Sequence, residues 1–264
     1  MRRFHSKTVL AEIYYNKPNQ RLAEKKNIIT GGSHGIGFSM ARKFTDEGAD
    51  VLIAGRNEDA LIKAANEIGC KWAILDLTKV EDFDDFIIEA DKILGRVDCL
   101  VNNAGISLHE KSFFDVTKET FDKQINTNLR GPFFLTQSYI RHLKSRNWCG
   151  NVLFVSSETG FTADFRPYGY TKAAVNSMVE GLAYIFAKDK IRINAVAPGI
   201  TATDMTGRSW DENLYCHLNM TERAYLPEEV AEAACFLLSD ASGCISGQII
   251  ALNNGRTINA RVKE

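Results

Sequence analysis

A glycine-rich segment near the start of the chain, Thr30-Gly31-Gly32-Ser33-His34-Gly35-Ile36-Gly37, most restricts the folds open to this sequence. It follows an apolar run of strand length, Lys26–Thr30, and leads into residues whose apolar side chains recur at helical spacing. A strand, turn and helix in this order direct backbone N–H groups and a helix N-terminus toward one point, where a pyrophosphate can bind. The segment therefore predicts a β-α unit of a dinucleotide-binding domain.

The same alternation of strand-length runs and longer helical segments continues along the chain. Six more strands are predicted at Val51–Ala54, Trp72–Leu75, Cys99–Asn102, Asn151–Ser156, Ile191–Val196 and Gln248–Leu252. Helices are predicted at Gly35–Glu47, across Leu61–Ile68 and Phe86–Leu94, at Lys118–Asn147 with a break near Gly131-Pro132, at Tyr168–Lys188 and at Pro227–Leu238. Strands that alternate with helices form a parallel sheet covered on both faces. We therefore expect one α/β domain, doubly wound around a mostly parallel seven-stranded sheet, over residues 26–264.

Two segments lie outside this alternation. Residues 1–25 form an N-terminal extension whose basic start favours a surface arm, with a transit peptide as the alternative. Residues 204–226, which include Trp210 and Tyr215, form a long insertion after the sixth strand. Because open α/β sheets bind ligands at the carboxyl ends of their strands, we expect this segment to be a substrate lid rather than a neutral excursion.

Charge and cysteine usage exclude several classes of partner. The formal net charge of -1 gives no reason to expect a nucleic acid or an anionic membrane surface. No apolar run approaches the ~18 residues that span a bilayer, and the five histidines lack metal-ligand spacing. The six scattered cysteines indicate reduced thiols of a cytoplasmic protein rather than a disulfide framework.

A second motif, Tyr168-Gly169-Tyr170-Thr171-Lys172, lies in a predicted helix about half a chain further on. Residues four apart on a helix share a face, so the phenol of Tyr168 is expected near the ammonium of Lys172. A free tyrosine has a pKa of ~10 and is a poor base at neutral pH, but a neighbouring cation stabilises the phenolate. A surface pair is the alternative; the position of the motif after a strand that ends in Ser156-Ser157 favours an acid/base tyrosine.

Together these segments resemble the short-chain dehydrogenase/reductase family, whose motifs occur here in the family's order. The matching segments are the TGxxxGxG turn at Thr30–Gly37, Asp76-Leu77 after the third strand, the NNAG turn at Asn102–Gly105, YxxxK at Tyr168–Lys172 and PGxxxT at Pro198–Thr203. The resemblance covers about Lys26 to Leu252. It implies a Rossmann-type fold, NAD(P)-dependent oxidoreductase activity, and a homotetramer or homodimer packed through the helices at Lys118–Asn147 and Tyr168–Lys188.

The resemblance also implies which residues bind the nicotinamide cofactor. In the family, these turns bind the pyrophosphate, place an aspartate beside the adenine and hold the nicotinamide carboxamide. The residues at the matching positions are Gly31, Ser33, His34, Gly35, Ile36, Gly37, Arg56, Asp76, Leu77, Asn103, Ala104, Gly105, Tyr168, Lys172, Pro198, Gly199, Thr201 and Thr203.

The end of the second strand indicates the type of cofactor. An NAD site has a carboxylate there that binds the ribose 2′-hydroxyl, whereas this chain has Gly55 followed by Arg56. A guanidinium can bind a 2′-phosphate through two hydrogen bonds. NADP(H) is therefore favoured over NAD(H). The alternative is an exposed arginine beside a helix, and the acidic Glu58 and Asp59 weaken the local positive field.

By the same resemblance, the catalytic residues are Asn128, Ser157, Tyr168 and Lys172. Tyr168 transfers the proton of the substrate oxygen, Lys172 lowers the pKa of Tyr168 and binds the nicotinamide ribose, and Ser157 orients the carbonyl. Asn128 completes the tetrad through a water molecule and the lysine. Asn126 is a weaker candidate for that role, and Ser156 is expected to cap backbone groups.

The predicted reaction is hydride transfer between nicotinamide and a carbonyl or secondary-alcohol substrate. A 3-oxoacyl thioester reductase is one special case, and reductases of sugar or steroid ketones are others; no residue decides among them. A non-catalytic dinucleotide-binding regulator is an alternative from a different class. The complete tetrad argues against that regulator.

Two stretches depart from the family pattern. The loop from Ser157 to Tyr168 is short, and a surface salt bridge between Glu158 and Arg166 is the simplest expectation. An anionic substrate is the alternative partner of Arg166. The last strand ends in Leu252-Asn253-Asn254-Gly255-Arg256 rather than in an acidic residue and paired glycines. The family pattern therefore does not predict what this C-terminal segment contacts.

Overall fold

The computed structural model describes residues 8–9, 19–209 and 212–258. Within these residues seven strands form one sheet: β1 (Lys26–Thr30), β2 (Asp50–Gly55), β3 (Lys71–Ile74), β4 (Cys99–Asn102), β5 (Gly150–Val155), β6 (Ile191–Pro198) and β7 (Ile249–Leu252). Every neighbouring pair is parallel, and the strand order is β3-β2-β1-β4-β5-β6-β7. The predicted single α/β domain with a seven-stranded parallel sheet is confirmed.

Helices cover both faces of the sheet. They are α1 (Gly35–Asp46), α2 (Glu58–Ile68), α3 (Phe83–Leu94), α4 (Lys118–Ile125), α5 (Gly131–Ser145), α6 (Pro167–Phe186) and α7 (Pro227–Leu238). The observed bounds of most elements lie within one or two residues of the predicted ones. Among the described residues, no helix has the length and apolar character needed to cross a membrane.

The sheet has a hydrophobic core on each face because successive residues of a strand point to opposite sides. In β1, Ile28 packs on the side of α3, α5 and α6, whereas Ile29 packs on the side of α1, α2 and α7. Leu100 and Val101 of β4 repeat this pattern, and all four side chains are fully buried. These apolar runs therefore form strands buried on both faces.

The order in which successive strands are added to the sheet reverses between β1 and β4, although the two strands are parallel. Strand β1 pairs with β2 on one side and with β4 on the other, and such a switch point opens a crevice at the carboxyl ends of the strands. Thr30 ends β1 directly before the glycine-rich turn, and Asn102 ends β4 within the NNAG turn. The two predicted cofactor motifs therefore meet at one crevice.

The helical region Lys118–Asn147 is interrupted next to Gly131-Pro132, as predicted: a π-helical stretch, Asn126–Arg130, separates α4 from α5. Pro132 itself lies in the first turn of α5, where a proline loses no hydrogen bond. A Cβ on Gly131 would lie 2.4 Å from the Leu77 carbonyl oxygen, so glycine lets α5 pack closely against the segment that follows β3.

The two segments outside the predicted alternation contact each other. In the 204–226 segment, a 3₁₀ turn at Asp204–Thr206 is followed by an antiparallel bridge between Tyr215 and Arg223. In the N-terminal extension, the Val9 carbonyl accepts the Leu214 N–H at 3.1 Å, and the Val9 N–H donates to Asn213 Oδ1 at 3.0 Å. Residues 1–7, 10–18 and 259–264 lie outside the described residues, as do 210–211, which include the predicted lid residue Trp210.

Candidate active site

Glycines shape the turn between β1 and α1. Gly31 and Gly35 have φ of +66° and +56°, in the left-handed region that side chains with a Cβ rarely adopt. A Cβ on Gly37 would lie 2.2 Å from the Gly31 carbonyl oxygen and 2.5 Å from Asn103 Nδ2. The turn can therefore close tightly over the first residues of α1 only because these positions lack side chains.

The NNAG turn holds the glycine-rich turn in place. The Asn103 side-chain amide donates to the carbonyl oxygens of Thr30 and Gly31, at 2.9 and 3.0 Å. In return, the Thr30 hydroxyl accepts the N–H groups of Asn103 and Ala104, at 3.0 and 3.1 Å, and donates to the Val101 carbonyl. These bonds fix the two turns relative to each other before any ligand binds.

A single cleft of about 470 Å³ lies at the carboxyl ends of the strands. Every residue that the sequence assigned to the cofactor lines this cleft, as do Ser157, Tyr168 and Lys172 of the predicted tetrad. The lining fits a dinucleotide, because the glycine turn and the first residues of α1 form its middle. Arg56 lies toward the end formed by β2, and the tyrosine and lysine lie beside β5. The individual roles of these residues remain predictions.

Arg56 is exposed on the cleft wall directly after β2. Across the described part of the chain, Arg56 forms no salt bridge. Asp76, on the same wall, accepts hydrogen bonds from the N–H and the hydroxyl of Thr78, at 2.9 and 2.8 Å. These bonds, with a smaller contribution from the charge of Arg56, hold the pKa of Asp76 below its ordinary value. The guanidinium thus stays available to a ligand in the cleft.

The Tyr168 phenol lies in the first turn of α6 and contacts the Ser157 hydroxyl, which begins the turn after β5. Burial raises the pKa of Tyr168 above its ordinary value, while the Ser157 hydroxyl and the charge of Arg166 oppose this shift. Lys172 Nζ lies 5.5 Å from the centre of the Tyr168 ring and donates to the Val155 carbonyl at 2.7 Å. Burial lowers the pKa of Lys172 to about 8. The sequence predicted that Lys172 lowers the pKa of Tyr168. In the chain without cofactor the pKa of Tyr168 is instead raised.

Asn128 lies in the π-helical stretch and is buried behind the cleft wall. Its side-chain amide donates to the Ile106 carbonyl, and its Oδ1 accepts the Ile106 N–H, both at 2.8 Å. A Cβ on Gly105 would lie 3.4 Å from Asn128 Oδ1 and 3.7 Å from Lys172 Nζ. Asn128 and Lys172 therefore both lie close to Gly105, and the part of Asn128 in the tetrad stays a prediction.

The two serines at the end of β5 have different partners. Ser156 donates to Asn176 Oδ1 at 2.6 Å and lies 3.4 Å from the Lys172 carbonyl, so it ties the strand to α6. Ser157 Oγ accepts the Thr159 N–H at 3.2 Å and lines the cleft. The geometry favours Ser157 as the serine that faces a substrate.

The predicted surface salt bridge between Glu158 and Arg166 is wrong. Arg166 instead binds Asp164 through two hydrogen bonds, Nε to Oδ1 at 2.9 Å and Nη2 to Oδ2 at 2.8 Å. Glu158 is buried and pairs with Arg256, which lies 98 positions away in the sequence. The sequence offered no signal for that pair, because neither residue belongs to a local motif.

Further cleft residues were missed by the sequence analysis. Ser107 and His109 follow the NNAG turn, and Met205 and Thr206 belong to the 204–226 segment. The His109 ring nitrogen lies 2.8 Å from the Met205 carbonyl oxygen, so the loop after β4 contacts that segment. The proximity of both loops to known motifs was the only available signal.

Comparisons with known proteins identify the family of the chain. The family model described as enoyl-(acyl carrier protein) reductase matches residues 31–257. A 3-oxoacyl-(acyl-carrier-protein) reductase of Thermotoga maritima is 35% identical over 90% of this chain and 100% of its own length. An NAD-dependent glycerol dehydrogenase of Listeria innocua is 32% identical over 90% of this chain and 95% of its own.

A solved structure gives the same result. The 3-ketoacyl-(acyl-carrier-protein) reductase of Brucella melitensis, complexed with NADH, superimposes with a TM-score of 0.83 at 31% identity, over 90% of this chain and 100% of that one. The family model covers the chain from Gly31 in the glycine-rich turn to beyond β7, and each of these relatives matches 90% of the chain. The chain therefore belongs to the short-chain dehydrogenase/reductase family and is an NAD(P)-dependent oxidoreductase.

Proposed function

We propose that the chain catalyses the NADP(H)-dependent reduction of a carbonyl compound or the reverse oxidation of a secondary alcohol, with Tyr168 as acid/base. One observation carries this proposal: the phenol of Tyr168, the hydroxyl of Ser157 and the buried ammonium of Lys172 line the same glycine-shaped cleft. This combination supplies a proton, a hydrogen-bond donor and a positive charge around one reacting oxygen.

Each residue of the tetrad has a distinct part in the proposed reaction. When bound, the nicotinamide supplies or accepts the hydride. Ser157 donates a hydrogen bond to the substrate oxygen, and Tyr168 donates its proton to that oxygen during reduction. The raised pKa keeps the phenol protonated for this step, and the Lys172 ammonium stabilises the phenolate that remains. Asn128 keeps the backbone at Ile106 in place beside Lys172.

Replacing Tyr168 with Phe tests the acid/base assignment, because it keeps the ring and removes only the hydroxyl. We expect kcat for carbonyl reduction to fall by about 10²–10⁴-fold while the Kd for NADPH stays within about twofold. The control is Tyr170→Phe, in the same helix, where the side chain is 47% exposed. Full turnover in Tyr168→Phe would contradict the proposal.

The preference for NADP(H) is supported by the exposed Arg56 and by the absence of a carboxylate at the end of β2. Arg56→Ala should lower kcat/KM with NADPH by about tenfold or more and leave kcat/KM with NADH nearly unchanged. Arg42→Ala is the matched control, since Arg42 is a partly exposed arginine that pairs with Glu67. Equal use of both cofactors by the unmodified protein would contradict this preference.

The carbonyl substrate is the open part of the proposal. The relatives named above act, by their names, on 3-oxoacyl thioesters or glycerol, and the cleft of this chain presents polar side chains at Ser107, His109 and Thr159. A 3-oxoacyl thioester reductase is therefore retained as a special case. A panel of ketones, aldehydes, keto-sugars, steroids and 3-oxoacyl thioesters tests it. NADPH binding without turnover of any member would favour a dinucleotide-binding regulator.

A homotetramer or homodimer packed through α4, α5 and α6 belongs to the same proposal. A groove of about 490 Å³ between α5 and α6 is lined by Phe133, Ile140, Leu182 and Phe186, and Phe133 is 41% exposed. Burying such apolar surface against a second copy is favourable. Light scattering should give a dimer or tetramer mass, and Phe133→Lys should reduce it. A monomeric unmodified protein would contradict this part.

A cytoplasmic location also belongs to the proposal. All six cysteines are free thiols, the state expected in a reducing compartment. Cys149 and Cys244 are exposed, so both should react with a thiol reagent added to freshly lysed cells. Prior oxidation of both would argue for another compartment.

A further inference from the structure

An ion pair between a buried carboxylate and a partly exposed arginine lies directly beside Ser157. Ser157 begins the serine turn, residues 157–161, and Glu158 is the residue that follows it. Its side chain is only 9% exposed, and its Oε1 accepts a hydrogen bond from Arg256 Nη1. Arg256 belongs to the C-terminal turn, residues 253–258, which follows β7. A contact between two distant segments thus adjoins the residue expected to orient the substrate.

Three segments meet at this ion pair. A Cβ on Gly199 would lie 3.2 Å from Glu158 Oε2, 2.7 Å from Tyr225 Cε2 and 3.3 Å from Asn253 Cβ. The Asn253 side chain also lies beside the Glu158 carboxylate. The serine turn, the Pro198-Gly199 turn and the C-terminal turn are therefore packed together, and a side chain at position 199 would press most closely on the Tyr225 ring.

The opposite side of the serine turn packs against α6. A Cβ on Gly160 would lie 2.7 Å from Asn176 Nδ2 and 2.9 Å from the Lys172 carbonyl oxygen. Within the turn, the Ser157 carbonyl accepts the Gly160 N–H at 3.0 Å. The serine turn is thus held between the helix that carries Tyr168 and Lys172 on one side, and the Glu158–Arg256 pair on the other.

We propose that the Glu158–Arg256 pair is a positioning element that holds the Ser157 hydroxyl against Tyr168 for catalysis. The inference rests on the proposed function. A carboxylate that is buried and loses its partner is strongly destabilised. Without Arg256, the charged form of Glu158 is destabilised in its site, and the turn that carries Glu158 and Ser157 loses its anchor on this side. A misplacement of about 1 Å at a reacting group can cost about a hundredfold in rate.

Kinetics of Arg256→Met, Glu158→Gln and Arg256→Lys test the proposal. We expect kcat to fall between about tenfold and a hundredfold in the first two, while the Kd for NADPH stays within about twofold. Arg256→Lys keeps the charge and should restore part of kcat. Unchanged kcat in both Arg256→Met and Glu158→Gln would overturn the proposal. If Arg256→Met fails to fold, Glu158→Gln and Arg256→Lys still decide it.

A matched control separates positioning from general stability. Arg21 also pairs with a buried carboxylate, Glu47, at 2.6 Å, but at the end of α1 away from the cleft. Arg21→Met should lower the denaturation midpoint and leave kcat within about twofold of the unmodified protein. A similar loss of kcat in Arg21→Met would show that stability, not positioning, explains the effect.

A double-mutant cycle with Ser157→Ala tests the route of the effect. If the pair acts through Ser157, Arg256→Met should cause no further loss of kcat in the Ser157→Ala protein; additive losses would contradict the proposal. Failure of the proposed function looks different, because the unmodified protein would then bind NADPH and turn over no carbonyl.

Discussion

Replacing Gly37 with Ala tests whether the close contact between the glycine-rich turn and α1 forms the cofactor site. Gly37 is the third residue of α1. The added methyl group would lie 2.2 Å from the Gly31 carbonyl oxygen and 2.5 Å from Asn103 Nδ2. Both neighbours are fixed, because Asn103 Nδ2 itself donates to the carbonyl oxygens of Thr30 and Gly31. The turn or the helix therefore has to move.

Two effects of opposite sign determine the magnitude. Alanine is favoured over glycine within a helix by about 1 kcal/mol. Overpacking typically costs about 1–3 kcal/mol, and the contact here is with backbone, which cannot rotate away. Because the contact is with backbone, we take the upper end of that cost and expect a net loss of about 2 kcal/mol in the free energy of unfolding. Because the same movement displaces N–H groups that face the cleft, the Kd for NADPH should rise at least about tenfold, which corresponds to about 1.4 kcal/mol.

Tryptophan fluorescence quenching by NADPH gives the Kd, and urea unfolding gives the stability. Gly181→Ala is the matched control, since Gly181 is also helical but a Cβ there would meet nothing within 4 Å. This control should gain up to about 1 kcal/mol of stability and keep the Kd for NADPH. A Gly37→Ala protein with the Kd of the unmodified chain would refute the reasoning that the close contact shapes the site.

Two further predictions concern pH. Burial lowers the pKa of Lys172 to about 8, so the Kd for NADPH should rise as the pH increases through 8 and the ammonium loses its proton. The rise reaches about tenfold if NADPH binding raises the Lys172 pKa by one unit. Lys172→Met should abolish this pH dependence. Burial alone would raise the pKa of Glu47, but hydrogen bonds from Arg21 and Lys43 outweigh it and hold the pKa at about 2. Because the folded-state value is depressed, the stability that Glu47 contributes is present above its ordinary pKa of 4.5 and is lost as the pH falls toward 2. Urea unfolding should therefore show the deficit of Glu47→Gln, about 3 kcal/mol near neutral pH, shrinking over that range; a constant deficit would contradict the argument.

The sheet and the cofactor cleft could be predicted because their determinants are local. Strands β1 and β4 were predicted with the observed bounds, since each is an apolar run that ends at a recognisable turn. Gly31 and Gly35 occupy a backbone conformation that few other residues adopt. Such features require only neighbours in the sequence, and tertiary packing does not override them.

The features that were missed depend on contacts between distant segments. The helix around Asn128 contains a π-helical stretch, although its residues are compatible with a regular helix. The Asn128 side chain makes both of its short hydrogen bonds to the backbone of Ile106, which lies 22 positions away in the sequence. The pKa of Tyr168 likewise follows from burial in the assembled cleft, which outweighs the local spacing to Lys172. Neither the i,i+4 pattern nor helix propensity contains this information.

Glu158 shows how a local motif depends on distant residues for its geometry. Ser157 begins a turn that ends at Phe161, but the local sequence says nothing about what holds this turn against α6. On one side a close glycine contact suffices, because Gly160 has no side chain between the turn and the helix. On the other side a charged residue is buried, and it can stay there only with a partner. That partner, Arg256, lies beyond the last strand, in the stretch where the sequence departs from the family pattern. Arg256 and the buried Glu158 are therefore one feature of the fold. A substitution of either residue is expected to change the environment of the other.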